Sequence, residues 1–477
     1  MMTAYEIVVG LEVHVELATA SKIFCGCTTE FGGDPNTHVC PVCTGMPGVL
    51  PVLNKKVLEF AIRVGLALDC AITRYGKFDR KNYFYPDLPK AYQTSQLFLP
   101  ICTEGFLDIA TESGSKRIGI HEIHMEEDAG KLIHDPWEDC THIDYNRCGV
   151  PLIEIVSEPD FRSGEEVVAY LERLRELLLY IGVSDCKMQE GSMRADINLS
   201  VRPVGSQQLG TRTEMKNMNS LKMIQRAVEC EAQRQIELIE AGGKVVQETR
   251  RWDDNKDSSF AMRSKENAQD YRYFPEPDLL PMSISEEWIA EIAREMPEFA
   301  HQKRERFISQ FEISDYDAQM ITSEKPLCDL FERLVQETSQ PKESANLIIG
   351  EIMRLLNKTG QTAEELRIDP LKLAKAMEAV LGGFINRNGY KEVIEAVFTT
   401  DADPLVYIQQ KGLAMIGDEE QIKTAVMQAL ELNPKSVEDY AAGKEKAFGF
   451  LVGQIMRVLK GKADPQIVNR ILKEMLP

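Results

Sequence analysis

The sequence lacks any apolar run approaching the length of about 18 residues that a membrane-spanning helix requires. Its N-terminus also lacks a basic region followed by a long apolar stretch and a small-residue cleavage site. Disulfide-rich character is absent too, because 11 cysteines, an odd number, are spread over 477 residues. We therefore expect a cytoplasmic chain with reduced cysteines and no membrane partner.

The common nucleotide-binding and hydrolase motifs are missing as well. There is no G-x-x-x-x-G-K-[ST] loop and no G-x-G-x-x-G sequence, so any ATP site must be of another type. There is also no G-x-S-x-G sequence and no Gly/Ser-rich segment of the amidase kind. We therefore expect no serine-hydrolase or amidase-type active site in this chain.

The length and the residue patterns predict three domains. Residues 1–294 combine alternating β-like runs with two long helical segments, which indicates an α+β domain. After the Pro-rich stretch FPEPDLLPM the pattern becomes helical, and we assign residues 295–408 to an all-α domain. Residues 409–477 are predicted to form a small all-α tail domain.

Charge is distributed unevenly along the chain. The net charge of −20 argues against a protein that coats nucleic acid non-specifically, because phosphate repels an acidic surface. From Lys435 to Pro477, however, eight Lys or Arg residues stand against five Asp or Glu residues, which leaves this segment at +3. A shaped RNA bound through local basic patches remains compatible with this distribution.

Four cysteines form a C-x-C-x12-C-x2-C pattern: Cys25, Cys27, Cys40 and Cys43. Two close pairs separated by a loop can converge on one tetrahedral Zn²⁺. Four unrelated buried thiols and an iron–sulfur cluster are the alternatives. A complete shell of four thiolates leaves no open position, so the predicted zinc is structural.

The first predicted strand has an acidic face. Between Tyr5 and Leu17 apolar residues alternate with Glu12, His14 and Glu16, so these three side chains project together. The segments HMEEDAGK (124–131) and RADIN (194–198) also place carboxylates beside basic residues, as a Mg²⁺–triphosphate site requires. An ordinary solvent-facing strand would look the same, and the sequence alone does not bring the three segments together.

Two further segments have the composition of binding surfaces. Residues 76–96 mix lysines and arginine with tyrosines and phenylalanine, which suits a single-stranded RNA end, although a buried aromatic turn would also fit. EMKNMNS (214–220) places Lys216 just before a long predicted helix, where it could bind an anion or merely precede a helix cap.

The chain resembles the B subunits of the tRNA-dependent glutamyl/aspartyl-tRNA amidotransferases. The matching strings are long, occur in the family's order and cover nearly the whole chain, among them GLEVHVEL, FDRKNYFYPD, HMEEDAGK, PLIEIVSEPDFRS, DCKMQEGSMRADIN, ETRRWD, DYRYFPEPD and YAAGKEKAFGFLVGQIM. The resemblance implies a glutamine synthetase-like cradle domain, then a helical domain and a helical tail. It also implies ATP-dependent phosphorylation of Glu on tRNA(Gln) or Asp on tRNA(Asn), followed by amidation.

The resemblance implies site residues and partners. It gives His14 and Glu127 as leading Mg²⁺ ligands, with Glu12 and Asp196 in support, and Lys81 as the residue that stabilises the transferred phosphate. Arg194, Asn198 and Lys216 are expected to contact the nucleotide, and Tyr83 the RNA end. The expected partners are the glutaminase A subunit, the C subunit, tRNA(Gln) or tRNA(Asn) and, as a further candidate, the matching aminoacyl-tRNA synthetase. In the tail the expected phosphate contacts are Lys444, Lys446, Arg457, Lys460 and Lys462.

Two other functions remain compatible with the residues. One is a non-catalytic, zinc-braced scaffold that binds tRNA, in which the carboxylates are only surface groups. The other is a metal-dependent ligase or kinase that acts on a small-molecule carboxylate. ATP hydrolysis that depends on mischarged tRNA would separate these from the amidotransferase hypothesis.

Overall fold

The computed structural model describes residues 4–112, 114–264, 268–416, 418–459 and 461–476. These form two units, Met1–Phe299 and Ala300–Pro477. The first unit mixes strands and helices, and in the second all the long described elements are helices. The predicted fold class is thus confirmed in outline. The likeness to a glutamine synthetase cradle and the division of the helical part at residue 409 stay predictions.

The first unit contains the strands. Within the described residues they are β1 (Tyr5–Glu16), β2 (Ala71–Ile72), β3 (Tyr75–Gly76), β4 (Asp79–Asn82), β5 (Tyr92–Ser95), β6 (Cys102–Thr111), β7 (Gly114–Glu127), β8 (Lys131–His134), β9 (Thr141–Asp144), β10 (Pro151–Ser157), β11 (Met193–Pro203), β12 (Thr213–Lys216), β13 (Glu248–Asp253), β14 (Ser258–Ser264), β15 (Phe274–Pro275) and β16 (Met282–Ser283). Its helices are α1 (Lys55–Ala67), α2 (Gly164–Tyr180), α3 (Leu221–Glu240) and α4 (Glu286–Arg294).

One large sheet organises this unit, with the strand order β14-β13-β12-β11-β1-β10-β7-β6-β2. β1 pairs antiparallel with both β10 and β11, so distant segments of the chain become neighbours. Glu12 stands opposite Asp196, and His14 lies between Arg194 and Glu154. Directly opposed residues point to the same face of a sheet, so this pairing collects polar side chains from separate parts of the sequence.

The other face of the sheet forms the core. Val9, Leu11 and Val13 are buried, as the predicted alternation requires, and they cluster with apolar residues of α1, α2 and α3. Serine side chains cap the first turns of α2 and α3. Ser163 accepts a hydrogen bond from the backbone of Glu166, and Ser220 accepts one from Met223. The helices thus bury one face of the sheet, while the opposite face carries the polar groups.

The second unit consists of helices. They are α5 (Ala300–Phe311), α6 (Asp315–Thr322), α7 (Lys325–Thr338), α8 (Pro341–Leu347), α9 (Met353–Thr359), α10 (Pro370–Leu381), α11 (Arg387–Thr400), α12 (Pro404–Lys411), α13 (Glu419–Leu432), α14 (Pro434–Ala441), α15 (Lys446–Val458) and α16 (Pro465–Met475). A π-helical turn, Ile348–Ile352, connects α8 to α9. The last helices share a core that includes Ile422, Leu451 and Val468. Among the described residues no helix is both long and apolar enough to cross a membrane.

Candidate functional site

The polar face of the large sheet, as we call it below, gathers its side chains from five adjacent strands. They are Glu12, His14 and Glu16 of β1, His124 and Glu126 of β7, Glu154 of β10, Arg194, Asp196 and Asn198 of β11, and Glu214 and Lys216 of β12. The pleat places every second residue of each strand on this side. Carboxylates and imidazoles are therefore concentrated on one surface by the sheet register.

A first carboxylate cluster surrounds His14. The His14 Nε2 atom lies 3.7 Å from Glu126 Oε1 and 3.4 Å from Glu154 Oε2. One ligand atom from each of these residues lies within 4.8 Å of the others, as binding a single metal ion would require. His124 closes the cluster, with its Nε2 atom 3.0 Å from Glu154 Oε2.

A second carboxylate cluster lies on the neighbouring strands and consists of Glu12, Asp196 and Glu214, again with ligand atoms within 4.8 Å of one another. The Lys216 ammonium contacts Asp196 and lies 3.1 Å from Glu214 Oε1. Asn198 donates from Nδ2 to Glu12 Oε1 at 2.9 Å. The predicted group of Glu12, His14 and Asp196 is thus divided between two adjacent clusters.

The polar face is strongly coupled electrostatically. Burial opposes protonation of the His14 and His124 imidazoles, but the Glu154 and Glu126 carboxylates outweigh it and raise the pKa of His14 to about 9 and of His124 to about 10. Burial likewise opposes ionisation of Glu154, yet the two imidazolium groups hold its pKa well below the ordinary value. Glu154 therefore keeps its negative charge despite burial, and a metal ion that binds His14 would have to displace the proton from its imidazole.

Glu127 does not share the cluster of His14. On a strand, residue 126 projects with residue 124, and residue 127 projects to the opposite side. The buried Glu127 carboxylate contacts the Lys90 ammonium and accepts a hydrogen bond of 2.8 Å from the Thr94 backbone. The structure places Glu126, and not Glu127, beside His14, and a metal ion shared by Glu127 and His14 stays a prediction. Any catalytic role of Glu127 stays a prediction.

Lys81 faces the first cluster and is enclosed by aromatic rings. Its Nζ atom lies 5.1 Å from the ring centre of Tyr271 and 5.9 Å from that of Tyr83. Burial disfavours the charged form of Lys81, but nearby acidic groups, including Glu126 and Glu154, raise its pKa above the ordinary value. A cation is thus held next to the carboxylates.

Residues near Lys81 in the sequence have different surroundings. Arg80 makes two hydrogen bonds of 2.7 Å with the buried Glu276 carboxylate, and its guanidinium stacks 4.2 Å from the Tyr92 ring centre. These contacts indicate that Arg80 stabilises the fold. Phe84, in contrast, is 84% exposed, so an apolar ring next to Tyr83 remains accessible to a stacking partner.

Arg194 lies at the edge of the polar face, where it is bound to another acidic residue. Its Nη2 atom donates to Asp128 Oδ2 at 2.8 Å. Burial and the adjacent Asp128 carboxylate raise the pKa of Glu16 to about 8. A nucleotide contact by Arg194 would have to share the guanidinium with Asp128.

The four cysteines converge as predicted. Their sulfur atoms all lie within 4.8 Å of one another, and Cys40 Sγ and Cys43 Sγ are 3.9 Å apart. A tetrahedral zinc with bonds of about 2.3 Å separates its sulfurs by about 3.8 Å, so the donor set fits. The Cys40 backbone N–H also points at Cys43 Sγ, at 3.2 Å.

Lys22 lies beside the four cysteines and is fully buried. Its Nζ atom donates to the His38 carbonyl at 2.7 Å and lies 3.8 Å from Cys43 Sγ. A buried ammonium needs a compensating negative charge. Because four thiolates and one Zn²⁺ carry a net charge of −2, a loaded site would supply it.

The predicted phosphate contacts of the tail differ in their surroundings. Lys446 and Arg457 are exposed. Lys444 is exposed but pairs with Asp439 at 2.8 Å. The Lys462 ammonium instead contacts the Gly412 carbonyl. Lys460 lies outside the described residues.

Sequence reasoning did not assign several residues of the polar face. They are His124, Glu126, Glu154 and Glu214, and the aromatic residues Tyr271 and Tyr273 near Lys81 were not assigned either. Strand parity within HMEE would have selected His124 and Glu126 together. No local signal identifies Glu154 or Glu214, because their places depend on which strands pair.

Comparison with known proteins shows the family of this chain. A family described as the GatB/GatE catalytic domain matches residues 7–290, and one described as the GatB domain matches residues 329–476. The chain belongs to the GatB family. The resemblance inferred from the sequence is thereby confirmed, and the polar face lies within the first of these GatB matches.

Curated relatives support the assignment over the full length. The chain is 62% identical over 475 residues to a protein of Lachnoclostridium phytofermentans, covering 100% of this chain and 99% of the relative. It is 58% identical to proteins of Agathobacter rectalis, with 100% of both chains covered, and of Caldicellulosiruptor bescii, with 99% of both covered. All three relatives are named as the B subunits of aspartyl/glutamyl-tRNA(Asn/Gln) amidotransferases.

Proposed function

We propose that this chain is the kinase and transamidase subunit of a tRNA-dependent amidotransferase. In this proposal it phosphorylates the side-chain carboxylate of Glu on tRNA(Gln) or of Asp on tRNA(Asn) and then converts it to the amide. The polar face carries the proposal, because it combines two carboxylate clusters with Lys216 on one sheet, and Lys81 of β4 lies next to the first cluster. The names of the relatives supply the substrate class.

The chemistry requires such a surface. A carboxylate is a poor electrophile, and phosphorylation turns it into a mixed anhydride with a good leaving group. Phosphoryl transfer depends mainly on positioning and on neutralising the charge of the transferring group. Side chains fixed on adjacent β-strands provide that positioning with little reorganisation.

The donor sets fit Mg²⁺. His14, Glu126 and Glu154 would hold one ion, and Glu12, Asp196 and Glu214 would hold another. When bound, Mg²⁺ would supply charge neutralisation for the ATP phosphates. Asn198 Oδ1 and His124 Nδ1 are buried without a hydrogen-bond partner in the structure. Such atoms are suited to a bound ligand or to the water around an ion.

Two lysines, Lys216 of the polar face and Lys81 of β4, have matching roles in the proposal. Lys81 would stabilise the transferred phosphate next to the first cluster, and Lys216 would contact ATP phosphates next to the second. Both hold their charge, because surrounding acidic groups raise their pKa values. Arg194 is a further nucleotide contact in this scheme.

The remaining parts serve binding in this proposal. The four-cysteine cluster would hold a structural Zn²⁺, since four thiolates complete its coordination. Tyr83 would stack on the tRNA end, and exposed cations of the tail would contact tRNA phosphates. Ammonia would come from a glutaminase A subunit, assembled with a C subunit. We place the complex in the cytoplasm.

The decisive experiment is transamidation by the purified chain, with and without A and C subunits, on mischarged Glu-tRNA(Gln) and Asp-tRNA(Asn). We expect ATP hydrolysis that depends on mischarged tRNA, and amide formation that also requires a source of ammonia. His14→Ala should abolish the hydrolysis and leave tRNA affinity largely intact. A scaffold would show no hydrolysis in the wild type, and a small-molecule ligase would not require the tRNA.

A further inference from the structure

A group of metal-binding side chains lies outside the polar face and outside the four-cysteine cluster. Asp135, Cys140 and His142 each offer one ligand atom, and the three atoms lie within 4.8 Å of one another. They belong to the β8–β9 hairpin, in the local sequence DPWEDCTH. Nothing in the proposed phosphoryl transfer uses them.

The hairpin holds these side chains in place. β8 and β9 pair from Lys131–Asp144 to His134–Thr141. At the tip, the Asp135 N–H donates to the Cys140 carbonyl at 3.1 Å, and the Cys140 N–H donates to the Glu138 carbonyl at 2.7 Å. The backbone thus fixes the separation of two of the three groups before any ligand binds.

One oxygen of Asp135 is occupied and the other faces the imidazole. Oδ1 accepts backbone hydrogen bonds from Trp137 at 2.7 Å and Glu138 at 2.9 Å. These bonds lower the pKa of Asp135, so the group is a carboxylate. Oδ2 lies 3.8 Å from His142 Nε2, which is too long for a direct hydrogen bond.

The same imidazole nitrogen faces the thiol. Cys140 Sγ lies 3.8 Å from His142 Nε2. Two donor atoms thus stand at a similar distance from one nitrogen, although Cys140 and His142 are both exposed. Such spacings resemble the edges of a tetrahedron around a metal ion, which are about 3.3–3.8 Å for bonds of about 2.0–2.3 Å.

We propose that Asp135, Cys140 and His142 form a second transition-metal site, which binds Zn²⁺ or a similar borderline ion. Thiolate and imidazole donors favour such an ion over Mg²⁺. Three protein ligands leave the fourth tetrahedral position to water or to an external ligand. The exposed location predicts an exchangeable ion, in contrast to the ion of the complete four-cysteine shell.

Cobalt binding to the full-length chain tests the site, with the four-cysteine cluster already filled by zinc. Titration with Co²⁺ should produce a thiolate-to-cobalt charge-transfer absorption that saturates at one equivalent. Cys140→Ser should abolish this absorption, and Cys230→Ser, which alters a partly exposed thiol elsewhere, should preserve it. No absorption in the wild type, or an equal absorption in Cys140→Ser, would overturn the proposal.

Two further variants distinguish a three-ligand site from a lone thiol. His142→Gln and Asp135→Asn should each weaken Co²⁺ binding by about tenfold or more, as loss of metal-site interactions typically does. Saturating Zn²⁺ should also slow alkylation of Cys140 in the wild type but not in His142→Gln. Wild-type affinity and protection in both variants would contradict the assignment. Circular dichroism of each variant checks that the fold is retained.

Discussion

At the scale of single residues, the polar face depends on which side of β7 each carboxylate occupies. Glu126 points towards His14 and Glu154, and its neighbour Glu127 points towards Lys90. We predict that Glu126→Gln raises the Mg²⁺ concentration for half-maximal tRNA-dependent ATP hydrolysis by about tenfold or more, because it removes a charged ligand. Glu127→Gln should leave that Mg²⁺ concentration near the wild-type value, whatever its effect on the maximal rate.

The two variants are matched, since both replace a buried carboxylate of β7 by an amide of the same size. Hydrolysis measured across a Mg²⁺ series, with the A and C subunits present, gives both half-maximal concentrations. A raised Mg²⁺ requirement in Glu127→Gln alone would return the ligand role to Glu127 and contradict the geometry of the first cluster.

Lys22 is a second residue with a testable role, because its buried ammonium lies next to the four cysteines. We predict that Lys22→Met makes zinc loss to a chelator faster by about tenfold or more, since the negatively charged zinc–thiolate group would lose its nearest buried cation. Lys56→Met, at an exposed lysine paired with Glu59, is the control. Equal rates of zinc release in the wild type and Lys22→Met would show that the charge is not needed.

At the scale of elements, Glu231 joins α3 to the strands beneath it. Its buried carboxylate accepts hydrogen bonds from Thr213 of β12 at 2.8 Å, from Ser259 of β14 at 3.1 Å and twice from Arg234. Burial opposes ionisation, but the bonds from Arg234 and Gln235 hold the pKa of Glu231 below its ordinary value. The ionised form of this carboxylate therefore stabilises the fold more than the protonated form does.

We predict that Glu231→Gln lowers the free energy of unfolding by about 1–3 kcal/mol at neutral pH, the usual effect of losing buried charged hydrogen bonds. A depressed folded-state pKa adds stability above the unfolded pKa of about 4.3, and that stability is lost as the pH falls through the folded value. The difference between wild type and variant should therefore shrink below about pH 4. Urea unfolding of both proteins at several pH values measures it, and a difference independent of pH would contradict the role of the charge.

Some parts of the candidate site could be predicted from local sequence patterns, and other parts could not. The alternation of β1 and the convergence of the cysteines follow from local patterns, and the structure has both. Glu154 and Glu214 could not be found in this way, because strands far from β1 in sequence complete its surroundings. Pairing and register across such distances are set by tertiary packing, which no local window contains.

At the scale of the whole molecule, an acidic chain is proposed to bind a polyanion. The net charge of −20 must then be offset locally, and the tail offers an excess of +3 with exposed cations at Lys446 and Arg457. Each phosphate contact that is removed reduces the dependence of affinity on salt. Lys462 provides an internal comparison, because its ammonium already contacts the Gly412 carbonyl.

We predict that Lys446→Ala combined with Arg457→Ala weakens tRNA binding by the assembled complex at low salt. The double variant should also lower the slope of log affinity against log salt by about 1–2, since each lost contact releases about one fewer counterion. Lys462→Ala should change this slope less than Lys446→Ala or Arg457→Ala alone. Binding of tRNA across a salt series measures these slopes. If the double variant kept the wild-type slope, the tail would not be the phosphate-binding surface, and recognition would have to depend on groups of the first unit.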